Sequence, residues 1–290
     1  MPREIALLTN PTSGRGTGAR VHGAVLRRLR DAGLGVRDLR GRDADESLDL
    51  ARDAVADGVD GLVVVGGDGM VHLALQAVAT TSTALGIIPA GTGNDVARYF
   101  DLPRKDPVAA ADVVVRGATR RVDLARSGSK HFATVMSAGF DALVNERANR
   151  MRWPRGRARY NLATLAELPV LRPRSYVLEL DGVVRRVEAV LVAVGNGPSF
   201  GGGLRITHGA DLADGLLDVV LIGPVGKMEL VRTFPKLYDG SHVTHPQYER
   251  HRARTVTVAS AGIVGYADGE RFGPLPLTVE CVPGAVQVWS

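Results

Sequence analysis

Two glycine clusters that carry aspartates are the most chemically pointed residues in this chain. The first is Gly66-Gly67-Asp68-Gly69-Met70 and the second is Gly91-Thr92-Gly93-Asn94-Asp95. Each follows an apolar run, Leu62-Val63-Val64-Val65 or Leu85-Gly86-Ile87-Ile88, and each opens a segment of helical character. Strand, glycine turn and helix in that order place backbone N–H groups at the carboxyl edge of a parallel sheet, where open α/β sheets bind ligands. Helix N-termini favour phosphate there, and glycine permits the close approach and positive φ that such turns need. Asp68 and Asp95 would repel a bare polyphosphate, so a divalent cation, Mg2+, is expected between carboxylate and phosphate.

Either cluster alone also reads as an ordinary strand-to-helix loop. Two in succession, each with an Asp, favour nucleotide. Neither is a P-loop, because Gly-Lys-Ser/Thr occurs nowhere in the chain.

The elements that must position these loops follow from composition and patterning. At 290 residues, with 45% hydrophobic residues, the chain suits two globular domains better than one. Its one cysteine, Cys281, cannot form an internal disulfide, which fits a reducing cytoplasm. The first apolar run, Ile5 to Leu8, is too short for a signal peptide or a membrane span. A net charge of +5 suits an anionic partner: nucleotide, nucleic acid or an acidic membrane surface.

Ile5 to Leu8 reads as a strand, Asn10 to Gly18 as a loop entering a helix through about Arg30, and Asp38 as the end of a second strand. Gly14-x-Gly16-x-x-Ala19 matches a dinucleotide fingerprint, but Asn-Pro-Thr-Ser separates it from the strand it should follow directly. Ser13, Gly14 and Arg15 suit phosphate contacts, and Ser13 or Thr17 equally suits a helix cap. Helices are expected over Asp45 to Ala56, from Met70, from Asn94 to Phe100 and over Pro107 to Arg116, with a strand from Arg120 to Ala125 carrying Asp123. The alternation of strand and helix ends there.

Beyond Leu124 the pattern is of strands separated by turns: Phe132 to Met136, Tyr176 to Leu180, Val183 to Val194, Leu217 to Ile222, Thr255 to Ala259, Ile263 to Tyr266, Leu277 to Val282 and Val286 to Trp289. Runs at this density indicate an antiparallel sandwich. The fold class expected is therefore α/β plus β, with an α/β domain over 1–123 and a β-sandwich over 124–290, whose tail from about 285 returns to the first domain. Arg147, Arg150, Arg152, Arg155, Arg157 and Arg159 gather around Trp153, which suits either a solvated basic loop or contact with anionic lipid. Helical segments are expected over Tyr160 to Leu171 and Lys227 to Tyr238, where Leu230, Val231, Phe234 and Leu237 suit the core or a lipid entry. With 5% aromatic residues and no nucleic-acid motif, nucleic acid is not the expected partner.

With these residues in view, the chain resembles the diacylglycerol kinase catalytic family, with sphingosine kinases and NAD kinases as more distant relatives. The resemblance rests on Asn10-Pro11-Thr12-Ser13-Gly14, both glycine clusters, Gly139-Phe140-Asp141-Ala142, Asn196-Gly197-Pro198 with Gly201-Gly202-Gly203, Asp211-Leu212-Ala213-Asp214-Gly215-Leu216 and Asp268-Gly269-Glu270. It implies an ATP-dependent lipid kinase acting in a cleft between its domains, with diacylglycerol the leading acceptor. Asp268 would be the catalytic base, with Glu270 assisting; taken bare, Asp268-Gly269 is a hairpin turn. Asn10, Ser13, Gly14, Arg15, Arg40, Gly66 to Met70 and Gly91 to Asp95 would hold ATP. Asp68, Asp95 and Asp123 would form a network with water and Mg2+ beside the phosphates. Asp211, Asp214 and the carbonyl of Leu216 match a structural metal site, and equally a polar turn before a strand. The chain departs from the family at Met70, His72 and Leu73, where Thr, Asn and Glu are usual, and at His208, usually proline.

Two alternatives stand beside this reading: an NAD kinase-like phosphotransferase, and a catalytically silent regulator that binds nucleotide or lipid. The resemblance places the protein in the cytoplasm, peripheral to the inner membrane face. Oligomeric state is open, a homodimer included.

Overall fold

The computed structural model describes residues 3–9, 17–151, 153–154 and 157–290. Chain contacts divide it into two units, residues 1–124 with 283–290, and residues 125–282.

The first unit alternates strand and helix: β1 (Glu4–Thr9), α1 (Thr17–Asp31), β2 (Gly35–Leu39), α2 (Ala44–Ala56), β3 (Gly61–Gly66), α3 (Asp68–Val78), β4 (Ala84–Pro89), α4 (Asp95–Tyr99), α5 (Pro107–Arg116) and β5 (Thr119–Ser127). Its strands lie in the order β2-β1-β3-β4, all parallel. α1 packs beside α5 and α2 beside α3, and β3 and β4 are buried along their whole length. Covered on both faces, these strands cannot alternate polar with apolar, which is why they read as unbroken apolar runs. The chain's last residues close the sheet: Val288 pairs with Leu85, and Trp289, 3% exposed, fills space that a side chain at Gly61 or Gly86 would take.

The second unit holds β6 (Lys130–Phe132), β7 (Val135–Gly139), α6 (Phe140–Arg150), α7 (Arg157–Glu167), β8 (Arg174–Leu180), β9 (Val183–Ala189), β10 (Leu191–Gly195), β11 (Leu217–Ile222), α8 (Lys227–Thr233), β12 (Tyr248–Ala253), β13 (Thr255–Ala259), β14 (Val264–Ala267), β15 (Glu270–Pro274) and β16 (Leu277–Trp289). One antiparallel sheet runs β12-β11-β10-β7-β14-β15. The other runs β9-β8-β13 and continues into the first half of β16. Met136, Ala138, Tyr176, Leu178, Val192 and Val256 form the core of the sandwich. The six-stranded sheet buries its second face as well, through Val135, Leu191, Ala193 and Val220.

Several strand bounds differ from the sequence reading. The run Phe132 to Met136 breaks into β6 and β7, because Ala133 and Thr134 give their N–H groups to Asp268 instead of a strand. The run Val183 to Val194 is two strands in different sheets, turning at Val190, whose N–H bonds Ile222 O at 2.8 Å. Leu277 to Val282 and Val286 to Trp289 are one strand, β16. Arg147 and Arg150, at the start of the basic stretch, lie on helix α6, whose Phe140, Val144 and Ala148 are buried at i, i+4 and i+8. Among the described residues no helix is long and apolar enough to cross a membrane.

Candidate functional site

Parallel register sets Gly66 of β3 opposite Pro89 of β4, so the two glycine turns meet. They touch backbone to backbone: a Cβ on Gly67 would lie 2.9 Å from Gly91 Cα. Asp68, in the first turn of α3, accepts the N–H groups of Asp95 at 2.7 Å and Val96 at 3.3 Å. One loop's carboxylate thus caps the helix that opens from the other. Asn94, at φ 51°, clamps its own loop, accepting from Gly91 N–H at 3.1 Å and donating to Gly91 O at 2.9 Å. Its amide therefore holds the turn. Gly93 stands between the carboxylates, since a Cβ there would lie 2.7 Å from Asp68 Oδ2 and 3.8 Å from Asp95 Oδ2. Asp95 is 3% exposed, with Arg98 Nε at 3.7 Å. The hard oxygen donors of the two carboxylates suit a divalent cation. Gly69 and Thr92 are exposed at this edge.

Met70 is a correction. Its side chain is buried in the core and its N–H bonds Gly67 O, so neither is presented to a nucleotide. Asp123, 4% exposed, accepts the Gly284 N–H at 2.7 Å. Among the described residues no three Asp, Glu, His or Cys side chains converge as a metal-ligand group, so Asp68, Asp95 and Asp123 are not gathered into one. Arg40 follows β2 and bonds Asp38 at 3.0 Å. Asn10, Ser13, Gly14 and Arg15 lie outside the described residues.

In the second unit, Asp268 and Gly269 form the turn between β14 and β15, at φ 53° and 83°, both positive as a tight hairpin turn demands. The hairpin aims the carboxylate at the break between β6 and β7. Thr134 donates its N–H at 3.1 Å and its hydroxyl to Asp268 Oδ1, and Ala133 N–H lies 3.4 Å from Oδ2. Glu270 begins β15, exposed, paired across the turn with Ala267.

In the loop before β11 both aspartates make turn contacts. Asp211 accepts Ala213 N–H and Asp214 accepts Leu216 N–H, each at 3.0 Å. Asp214 is also ion-paired with Arg252, so a cation at this turn would compete with a guanidinium. Asp218, 2% exposed, takes Arg250 Nε at 2.5 Å. Burial pushes the Asp218 carboxyl above the usual carboxylate range, and the bond from Arg250 opposes that shift.

Against the outer face of the six-stranded sheet lies an apolar cavity. Phe140, Leu191, Phe200, Ile206, Phe234 and Leu237 are among the residues that line it. The hydroxyls of Tyr160 and Tyr248 are buried in its wall, without a hydrogen-bond partner among the described residues. Of the basic stretch, Arg147 pairs with Glu167, Arg150 with Glu146, and Arg159 donates to Pro154 O, while Trp153 is 77% exposed. Arg152 and Arg155, and the side chain of Arg157, lie outside the described residues.

Residues 4–127 match the diacylglycerol kinase catalytic domain, and residues 134–290 match the YegS C-terminal NAD kinase beta sandwich-like domain. A diacylglycerol kinase of Mycobacterium tuberculosis (strain CDC 1551 / Oshkosh) is 48% identical over 98% of this chain and 94% of its own length. The chain belongs to the diacylglycerol kinase catalytic family. It is a kinase-type phosphotransferase, and the family resemblance extends to a diacylglycerol kinase of Bacillus subtilis (strain 168), 28% identical over 94% of this chain and 92% of that one. The crystal structure of a diacylglycerol kinase from Bacillus anthracis str. Sterne shares the fold, with a TM-score of 0.77 at 20% identity, covering 99% of this chain and 96% of that one.

For a kinase of this family, three side chains stand out that sequence reasoning passed over. Thr134 sits inside an apolar run and reads as an ordinary strand threonine. Asp218 reads as one polar residue in a strand, and His22 as a polar residue on a helix. Only contacts distant in sequence, to Asp268, Arg250 and Asp38, single them out.

Proposed function

We propose that this chain is an ATP-dependent lipid kinase that transfers the γ-phosphate of ATP to the hydroxyl of diacylglycerol, giving phosphatidic acid. The glycine turns at Gly66 to Gly69 and Gly91 to Gly93 would hold the phosphates through backbone N–H groups, with Arg40 toward the nucleoside. Asp68 and Asp95 would hold Mg2+, which supplies charge neutralisation on the phosphates when bound. Asp268 would accept the hydrogen bond of the acceptor hydroxyl and take its proton as the oxygen attacks phosphorus and ADP leaves. Thr134 and Ala133 fix the direction of that carboxylate.

The observation that carries a lipid acceptor is the apolar cavity between the six-stranded sheet and the helices over its outer face. Its aliphatic and aromatic lining suits an acyl chain, whereas the polar groups of NAD would be left unpaired there. The names of the relatives point the same way. Peripheral contact with an anionic inner membrane face is part of the same reading, supported by the exposed apolar side chains of Trp153, Leu165 and Met228.

The test is 32P transfer from labelled ATP with Mg2+ to diacylglycerol, ceramide, sphingosine, phosphatidylglycerol and NAD, beside an Asp268→Asn variant. Label in diacylglycerol that is lost in the variant is the expected result. Label in NAD alone sinks the lipid reading, and no label in any acceptor while ATP still binds leaves the silent regulator.

A further inference from the structure

A second polar cluster lies at the same sheet edge as the glycine turns, and the phosphate chemistry does not use it. His22, on α1, is 5% exposed. Its Nδ1 lies 2.8 Å from the hydroxyl of Thr9, which is 2% exposed. Its Nε2 lies 3.2 Å from Asp38 Oδ2 and 2.9 Å from the Arg40 guanidinium, which also bonds Asp38 at 3.0 Å. Two placements of the imidazole proton fit these distances. In one, Thr9 donates to Nδ1 and Nε2–H donates to Asp38. In the other, Nδ1–H donates to Thr9 and Nε2 accepts from Arg40. Under both, Thr9 fixes the ring and the ring fixes Arg40.

Strand register shows what the cluster faces. Leu8 pairs with Leu39, so Thr9 stands level with Arg40 on one side, and it pairs with Val65, the residue before Gly66, on the other. The carboxyl ends of β2, β1 and β3 thus present Arg40, Thr9 and the first glycine turn in a row, two strand spacings or roughly 10 Å across. A nucleoside triphosphate spans such a row, with its phosphates at the turn and its nucleoside toward β2. The Arg40 side chain is 58% exposed, anchored behind by the buried cluster and open in front.

We propose that His22 is a positioning residue for nucleotide binding, holding Arg40 directly or through Asp38 so that the guanidinium meets the nucleoside end. The inference rests on the nucleotide reading of the first unit. Titration calorimetry with ATP and Mg2+ on the full chain tests it. The variants are Thr9→Val, Thr9→Ser, His22→Gln, Arg40→Ala and the Thr9→Val/Arg40→Ala double. Thr9→Val and His22→Gln should weaken ATP by about fivefold or more, the scale of one buried hydrogen bond, while Thr9→Ser binds like the parent. Thr9→Val should add nothing once Arg40 is gone, because both act through one contact. Parental affinity in Thr9→Val and His22→Gln, or full additivity in the double variant, overturns the role. If His22→Gln fails to fold, Thr9→Val decides alone. A parent chain that does not bind ATP overturns the nucleotide reading itself, a separate failure that no variant is needed to see.

Discussion

Asp68 accepts the backbone N–H of Asp95 at 2.7 Å, so the aspartate of the first glycine turn is the cap of the helix that follows the second. The two turns are one object. Their charge, their backbone contact at Gly67 and Gly91, and the gap at Gly93 depend on one another.

Gly91→Ala should therefore act on both turns. The new Cβ meets the Gly67 backbone and Asn94 Oδ1, atoms that cannot swing aside. A loss of about 1–3 kcal/mol is expected in chemical denaturation, with weakened ATP binding in calorimetry. Gly23→Ala, inside α1 where the nearest atom to a new Cβ is the end of Arg27, should be neutral or slightly stabilising.

Thr134→Val removes the hydroxyl that steers Asp268. Phosphoryl transfer should fall by about 10-fold to 100-fold in kcat, less than the roughly 10²-fold to 10⁴-fold loss for Asp268→Asn, because Val leaves the carboxylate in place. Thr134→Ser should retain most activity. Steady-state kinetics on the three variants checks the order, and a parental kcat in Thr134→Val would place Thr134 outside the reaction.

The legibility of the two units differs at this point. In the first, strand, turn and helix are adjacent in sequence, so apolar runs and glycines mark both the fold and the phosphate edge. In the second, Asp268 depends on Thr134, which precedes the neighbouring strand β7 and is far off in sequence. Nothing near Asp268-Gly269 distinguishes it from other Asp-Gly turns of the chain.

Arg250→Met should destabilise the second unit by about 2–3 kcal/mol, because Asp218, 2% exposed, keeps a charge without its partner. Adding Asp218→Asn should recover part of the loss. Denaturation of both variants, with and without Mg2+, also shows whether a cation substitutes for the arginine.

Burial pushes the imidazoles of His242 and His131 below their ordinary value of 6.5. Between the folded value and 6.5 the unfolded chain then binds more protons than the folded one, so stability rises with pH through that window and is complete above it. Acidification from pH 7.5 should leave stability level until about 6.5 and then lower it, by up to about 1.4 kcal/mol per pH unit for each histidine. His242→Phe should shallow the slope in pH-resolved thermal melts. An unchanged slope would assign it elsewhere.

By itself the sequence determined the family, the α/β order of the first unit, the sandwich character of the second and the two glycine turns. Those features are local: periodicity, turn residues and chain order carry them. The tertiary structure alone decided the rest. It put Met70 in the core, set Asn94 to clamp its own loop, paired Asp214 with Arg252 and split the long Val183 to Val194 run between two sheets. It also joined Thr9, His22, Asp38 and Arg40 at one sheet edge. A carboxylate, an amide or an imidazole takes its role from the partner that folding brings within about 3 Å, and no spacing along the chain encodes that distance.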